Sequence, residues 1–173
     1  MDTIKEMISR QSIAKRVEEM ADELNADYEG REVVLVCILK GGVIFMADLM
    51  RHLKFDLTTE YIELASYSAT ESTGKMQVLK DLGADLRGKD VLVIEDIVDT
   101  GFTLQFLYDH IMAKNPNSVK FCVFLNNPTR RGEGSREPEY VGFVIPNQFV
   151  IGYGLDYDGK LRQLPFVASL VRA

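Results

Sequence analysis

Apolar and polar positions follow two rhythms along this chain: short unbroken apolar runs, and longer stretches with apolar residues three and four apart. Ile13, Val17, Met20, Ala21 and Leu24 keep the second rhythm after Ser12 and predict an amphipathic helix with one face on a core. Val33 to Ile38 is apolar throughout, the pattern of a strand buried on both faces of a parallel sheet. Gly42 then opens a helix through Leu53, Thr58 to Ala65 reads as the next strand, and Ser66 to Met76 has the composition of an exposed loop. Val91 to Ile94 is a second unbroken apolar run, followed by the amphipathic stretch Leu104 to Met112. Val119 to Leu125 forms a further strand ahead of the Gly, Pro and Arg-rich loop Asn126 to Pro138. This alternation predicts an α/β fold, a central mostly parallel sheet flanked by helices. Val141 to Val144 and Phe149 to Tyr153, separated by Pro146-Asn147, break the rhythm and predict a small β-hood rather than another βαβ unit. The expected organisation is a single domain over residues 1–173, with a core over about residues 30–140 and a hood formed largely by 141–173 with the N-terminal segment.

Composition narrows the class. A chain of 173 residues with 46% apolar content can fill one core. The net charge of −6 and the lack of a basic tract do not favour general affinity for nucleic acid. No run of 18 apolar residues occurs and the start MDTIKEMISRQ has no signal-peptide apolar region, so no membrane contact and a cytoplasmic location are expected. Cys37 and Cys122 each sit inside an apolar run and read as small hydrophobes rather than as a disulfide or metal ligands. His52 and His110 fall in helical patterns and read as structural.

The densest chemistry lies in residues 91–104, VLVIEDIVDTGFTL. Glu95 and Asp96 follow the buried run, Asp99 comes next, and Thr100-Gly101-Phe102-Thr103 leads into the helix. Open α/β sheets bind ligands beyond the carboxyl ends of their strands. Gly101 lets the backbone approach an anion, while Thr100, Thr103 and the unpaired amides of the first helical turn supply donors, helped by the helix dipole. Carboxylates so close to an anion site would serve instead to accept hydrogen bonds from sugar hydroxyls, help hold a cation, or take up a proton. The segment is a candidate sugar-phosphate site. Capping of the helix by Asp99-Thr100 would not by itself require three carboxylates behind a buried strand. Lys40-Gly41-Gly42, with adjacent glycines between a strand and a helix, can also present amides to an anion.

The 91–104 segment resembles the phosphoribosyl pyrophosphate signature of type I phosphoribosyltransferases, and specifically their hypoxanthine-guanine branch. Leu39-Lys40-Gly41-Gly42 resembles that branch's pyrophosphate loop, Ser66-Tyr67 its mobile lid, and Val141-Gly142-Phe143 through Gly154-Leu155-Asp156-Tyr157 its base-binding C-terminal segment. The resemblance implies magnesium-dependent transfer of ribose 5-phosphate from phosphoribosyl pyrophosphate to a purine base in purine salvage, by a homo-oligomer, dimer or tetramer. It implies that Glu95 and Asp96 bind the ribose hydroxyls directly or through magnesium, and that Asp99 to Thr103 hold the 5-phosphate. Asp99 would also face N7 of the purine as general base or hydrogen-bond acceptor. Lys40, Gly41 and Arg162 would contact pyrophosphate, with a strained peptide bond at Lys40-Gly41. Phe149 would stack on the base, the Val150 backbone would read its edge, and Asp156 would hold a magnesium ion. Ser66-Tyr67 would close over a carbocation-like centre and keep water away. Some proteins with this signature instead bind RNA and sense nucleotides; the acidic charge and the retained Asp99, Lys40, Ser66-Tyr67 and Asp156 favour the enzyme.

Two positions depart from the family pattern. Where members carry a lysine that donates to the purine's 6-oxo group, the run Asn126-Asn127-Pro128-Thr129-Arg130-Arg131 places Asn127. A charge-assisted hydrogen bond contributes about 1.5–3 kcal/mol against about 1 for a neutral one, and an amide can donate or accept, so preference for 6-oxopurines is not secured at this position. Phe102 stands where lysine or another polar residue is common in the phosphate loop. Its amide remains available, so its side chain is expected to affect packing or subunit contact more than phosphate affinity.

Overall fold

The computed structural model describes residues 3–66 and 76–171. The chain runs β1 (Thr3–Ile8), α1 (Arg10–Asp27), β2 (Glu32–Leu39), α2 (Val43–Met50), β3 (Asp56–Ser66), β4 (Met76–Lys80), β5 (Asp90–Val98), α3 (Phe102–Met112), β6 (Ser118–Asn126), β7 (Tyr140–Val144), β8 (Val150–Ile151) and β9 (Val167–Val171). A central sheet takes the order β4-β3-β2-β5-β6-β7, and a separate small sheet the order β1-β9-β8. In the central sheet β2, β3, β5, β6 and β7 are parallel, while β4 lies antiparallel on the edge against β3.

The unbroken apolar runs are explained by helices on both faces. Along β2, Val33, Leu35 and Cys37 pack with α1 and α2, while Val34, Val36 and Ile38 pack with α3. Along β5, Leu92 and Ile94 join the first layer and Val91 and Val93 the second, as the two-residue pleat requires. Both cysteines are buried and free, and burial pushes the Cys37 thiol up to about 12. Phe124 of β6 packs its ring against Phe45 of α2, Phe143 of β7 and Tyr153, which joins the segment beyond β8 to the central sheet.

Several boundaries differ from those expected. The first helix begins at Arg10, because Ser9 rather than Ser12 caps it: Ser9 Oγ accepts from the Ser12 N–H at 3.1 Å. α2 stops at Met50, short of Leu53. Strand β4 begins at Met76, the last residue of the stretch read as loop, and runs on to Lys80. Val141 to Val144, expected in the hood, belongs to the central sheet as part of β7, parallel to β6. A parallel connection needs a dozen or more residues, and 127–139 supply it with one 3-10 turn, Pro128–Arg130, in place of an α-helix. The small sheet is built from β8, β9 and the N-terminal β1, which pairs with β9 from the far end of the chain. Among the described residues no helix is long and apolar enough to cross a membrane.

Candidate active site

β2 and β5 are neighbours, but the chain continues from β2 to β3 on one side and from β5 to β6 on the other. Such a switch point opens a crevice at the carboxyl ends of the strands. The loops at Lys40-Gly41-Gly42 and Asp99-Thr100-Gly101 flank it, as their positions after apolar runs predict.

Glu95 and Asp96 lie inside β5, which continues to Val98, rather than in a loop beyond it. The two-residue alternation of β5 is interrupted at this pair, since Ile94 and Ile97 both pack with the α1 and α2 layer while Val93 and Val98 both pack with the α3 layer, and the two carboxyl groups stay within reach of one another. Asp96 turns toward the glycine loop: a Cβ added to Gly41 would fall 1.7 Å from Asp96 Oδ2. Glycine is therefore required for this approach. Glu95 is buried and lies outside the lining of the neighbouring cleft, with its Oε1 accepting from the Asp96 N–H at 3.1 Å. Burial, reinforced by the Asp96 carboxylate, holds the Glu95 carboxyl well above the usual carboxylate range. The unfolded chain ionises Glu95 near its ordinary value while the folded chain holds the proton more strongly, so Glu95 costs stability as pH rises above about 4.3. Glu95→Gln should therefore leave Tm nearly unchanged at pH 4 and raise it at pH 8. Calorimetry of the ligand-free protein checks this, and an equal difference at both pH values would contradict it.

The phosphate-type loop has the expected form without side-chain capping. Gly101 is the N-cap of α3 with φ 79°, a left-handed conformation suited to glycine, and no side chain caps the helix. Amides of the first turn, at Phe102, Thr103 and Leu104, have no intrahelical acceptors, the arrangement that lets a helix start bind an anion. The loop after β6 buttresses it. Gly132 N–H donates to Thr100 O at 3.1 Å, and Arg131 Nη1 donates to Asp99 O at 2.8 Å. The half-exposed Phe102 ring lies against Gly132, where a Cβ would sit 2.4 Å away.

Beside this loop a cleft of about 560 Å³ is lined by Asp96, Asp99, Asn127, Phe149, Val150 and Asp156, among others. It unites all four residues expected to bind the base, Asn127, Phe149, Val150 and Asp156. Phe149 is 54% exposed, with its ring steeply inclined to that of Tyr157 at 5.8 Å, and so offers exposed aromatic surface to a planar ligand. Val150 is buried in β8 and its backbone lies on the wall. Asn127 differs from expectation: it is buried, and its amide is engaged by Asp99, Thr129 and Asn147, leaving it without a free donor for a base. Asp99 Oδ2 pairs with Arg130 Nη1 at 2.7 Å.

On the opposite wall Arg162 pairs with Asp156 at 2.8 Å and donates to Gly154 O at 2.6 Å. Gly154 in turn touches the glycine loop, since a Cβ there would lie 2.2 Å from Gly41 O. Arg162, Gly41 and the exposed Lys40 thus lie along one side of the crevice. The cis peptide bond in this loop is Leu39-Lys40, one position before the bond expected from the resemblance. Ser66 ends β3, while Tyr67 and the rest of the expected lid lie outside the described residues. Arg130 carries no assignment from the sequence, and Asn147, Gln148 and Gly154 none beyond their place in the segment read as base-binding. The Arg130-Arg131 pair is legible as a motif, but its approach to Asp99 is a tertiary contact.

The fold and the site define the class. A family model, the phosphoribosyl transferase domain, matches residues 4–158, and the chain belongs to that family. Within it the chain falls in the hypoxanthine-guanine branch. It is 42% identical over 165 residues to the hypoxanthine-guanine phosphoribosyltransferase of Staphylococcus epidermidis, covering 95% of this chain and 92% of that protein. The crystal structure of a hypoxanthine-guanine phosphoribosyltransferase from Bacillus anthracis superposes with a TM-score of 0.92 at 44% identity, covering 99% of this chain and 100% of that one. The bifunctional protein TilS/HprT of Listeria innocua is 42% identical over 170 residues; the match covers 98% of this chain but only 26% of that longer protein.

Proposed function

We propose that this protein transfers the 5-phosphoribosyl group from phosphoribosyl pyrophosphate to a purine base, hypoxanthine or guanine, releasing pyrophosphate and forming a nucleoside monophosphate in purine salvage. The observation that carries the reading is the position of Asp99, between an amide-lined helix start and a cleft with an exposed aromatic ring. The 5-phosphate binds the amides of Phe102, Thr103 and Leu104 and the hydroxyls of Thr100 and Thr103. The purine stacks on Phe149 with its edge at the Val150 backbone, and Asp99 accepts the proton that the ring nitrogen loses as the new C–N bond forms. Lys40, the Gly41 amide and Arg162 hold the departing pyrophosphate, whose charge grows as the ribosyl carbon becomes cationic.

Among the described residues no group of three or more His, Cys, Asp or Glu side chains is placed to hold a metal ion. Magnesium is commonly held by one or two carboxylates and completes its shell with substrate oxygens and water. Asp96 and Asp156 line the cleft and would hold it, whereas Glu95 is buried and lies outside the cleft lining. When bound, magnesium would neutralise charge on the pyrophosphate oxygens. A homo-oligomer, dimer or tetramer, belongs to the same reading and is read by light scattering.

Incubation with phosphoribosyl pyrophosphate, magnesium and each of hypoxanthine, guanine, xanthine and adenine tests the proposal. Nucleotide should form with hypoxanthine and guanine. Failure to turn over any base would overturn the reading.

A further inference from the structure

Asn127 sits at the seam between the donor and acceptor sides of the cleft. Its backbone N–H donates to Val98 O at 2.9 Å, which brings its side chain alongside Asp99. An asparagine amide has two donors and two acceptor lone pairs, and its orientation follows from what surrounds it. Here Thr129 decides it. The N–H and the Oγ of Thr129 both donate to Asn127 Oδ1, at 3.3 and 2.6 Å. With its oxygen committed to Thr129, the amide must turn Nδ2 the other way, where it donates to Asp99 Oδ1 and to Asn147 Oδ1, each at 3.3 Å. The reverse orientation would set Oδ1 against a carboxylate oxygen and Nδ2 against an N–H, losing these bonds and adding repulsion.

The other Asp99 oxygen, Oδ2, is held by Arg130, and the Asp99 carbonyl by Arg131. All of these partners come from the loop after β6. Asn147 belongs to the base-side wall, and the Ile145 N–H keeps that wall in register by donating to Asn126 O at 2.9 Å.

We infer that Thr129 and Asn127 are a pair of positioning residues for Asp99: Thr129 orients the Asn127 amide, and the amide fixes the Asp99 carboxylate while tying it to Asn147 beside the base. This rests on Asp99 being the group that receives the purine proton. It gives Asn127 a role other than contact with the 6-substituent of the base, and it gives Thr129 a role that nothing in its exposed position would suggest. Because the phosphate binds main-chain amides on the other side of Asp99, loss of the pair should affect the chemical step more than binding of the donor substrate.

Thr129→Val, Thr129→Ser, Asn127→Asp and the parent are compared for kcat and for KM toward phosphoribosyl pyrophosphate. Thr129→Val and Asn127→Asp should lower kcat by about tenfold or more, the effect of about 1.4 kcal/mol, with KM within about threefold of the parent. Thr129→Ser, which keeps the hydroxyl, should return to within about threefold of the parent kcat. A second readout does not depend on turnover: the Asn127 side-chain amide protons in nitrogen-15 spectra should exchange slowly with water in the parent and fast in Thr129→Val. Parent-like kcat in Thr129→Val, or failure of Thr129→Ser to rescue, overturns the positioning role. Fast exchange already in the parent overturns the orientation on which it rests. A parent that turns over no purine refutes the proposed function instead, and the exchange measurement then still decides whether Thr129 orients the amide.

Discussion

Asp99→Asn should lower kcat by about 10²- to 10⁴-fold, the usual contribution of a positioned general base, with little change in KM for phosphoribosyl pyrophosphate. Asparagine keeps the shape of the side chain and can still accept from Asn127 Nδ2, but it carries no charge for Arg130 and takes up no proton. The phosphate amides lie in the backbone of the following helix start and are untouched. Steady-state kinetics with hypoxanthine, accompanied by a melting curve to establish that the variant is folded, give the result. A kcat within about threefold of the parent would remove Asp99 from the chemistry and shift proton acceptance to solvent or to the base-side wall.

Gly154→Ala should combine a stability loss with loss of activity. Gly154 has φ 101°, which L side chains rarely adopt, and its added Cβ would lie 2.2 Å from the backbone oxygen of Gly41. Neither atom is the end of a flexible side chain, so the hood segment and the glycine loop must separate. The backbone conformation costs about 1–3 kcal/mol and the overpacking about as much again, which predicts a Tm lower by roughly 5–20 °C. Separation also moves Arg162, which donates to Gly154 O, away from the loop that carries Lys40, so KM for phosphoribosyl pyrophosphate should rise by about tenfold or more. Gly88→Ala is the control: φ is 69° and nothing lies within 4 Å of the new Cβ. Its Tm should fall by the conformational part alone, and equal losses in the two variants would rule out the collision.

The readable parts of the fold are those whose cause is local. Val33 to Ile38 and Val91 to Ile94 show their burial directly, because a strand covered on both faces admits no polar alternation. The helical spacing of Ile13, Val17, Met20, Ala21 and Leu24 shows α1 in the same way, and all five are buried. β1 carries polar residues among its apolar ones and acquires its partner, β9, only from the opposite end of the chain. The strand at Val141 to Val144 is legible but its place in the central sheet, as β7, is hidden for a related reason: its connection from β6 is a loop, so the strand-helix alternation that marks a parallel sheet is missing just before it.

The site divides along the same line. The order of carboxylates, glycine and threonines in residues 91–104 determined by itself a helix start at a left-handed glycine, the form proposed for an anion site, because both follow from local sequence. Tertiary structure alone decided what those carboxylates can do. The packed sheet brings Asp96 to the glycine loop and buries Glu95, where loss of water favours its proton. The loop after β6 surrounds Asp99 with Arg130, Arg131 and Asn127 from about 30 residues away. Spacing along a chain reports which groups are available, whereas charge state and orientation depend on neighbours that only the packed sheet brings within hydrogen-bond reach.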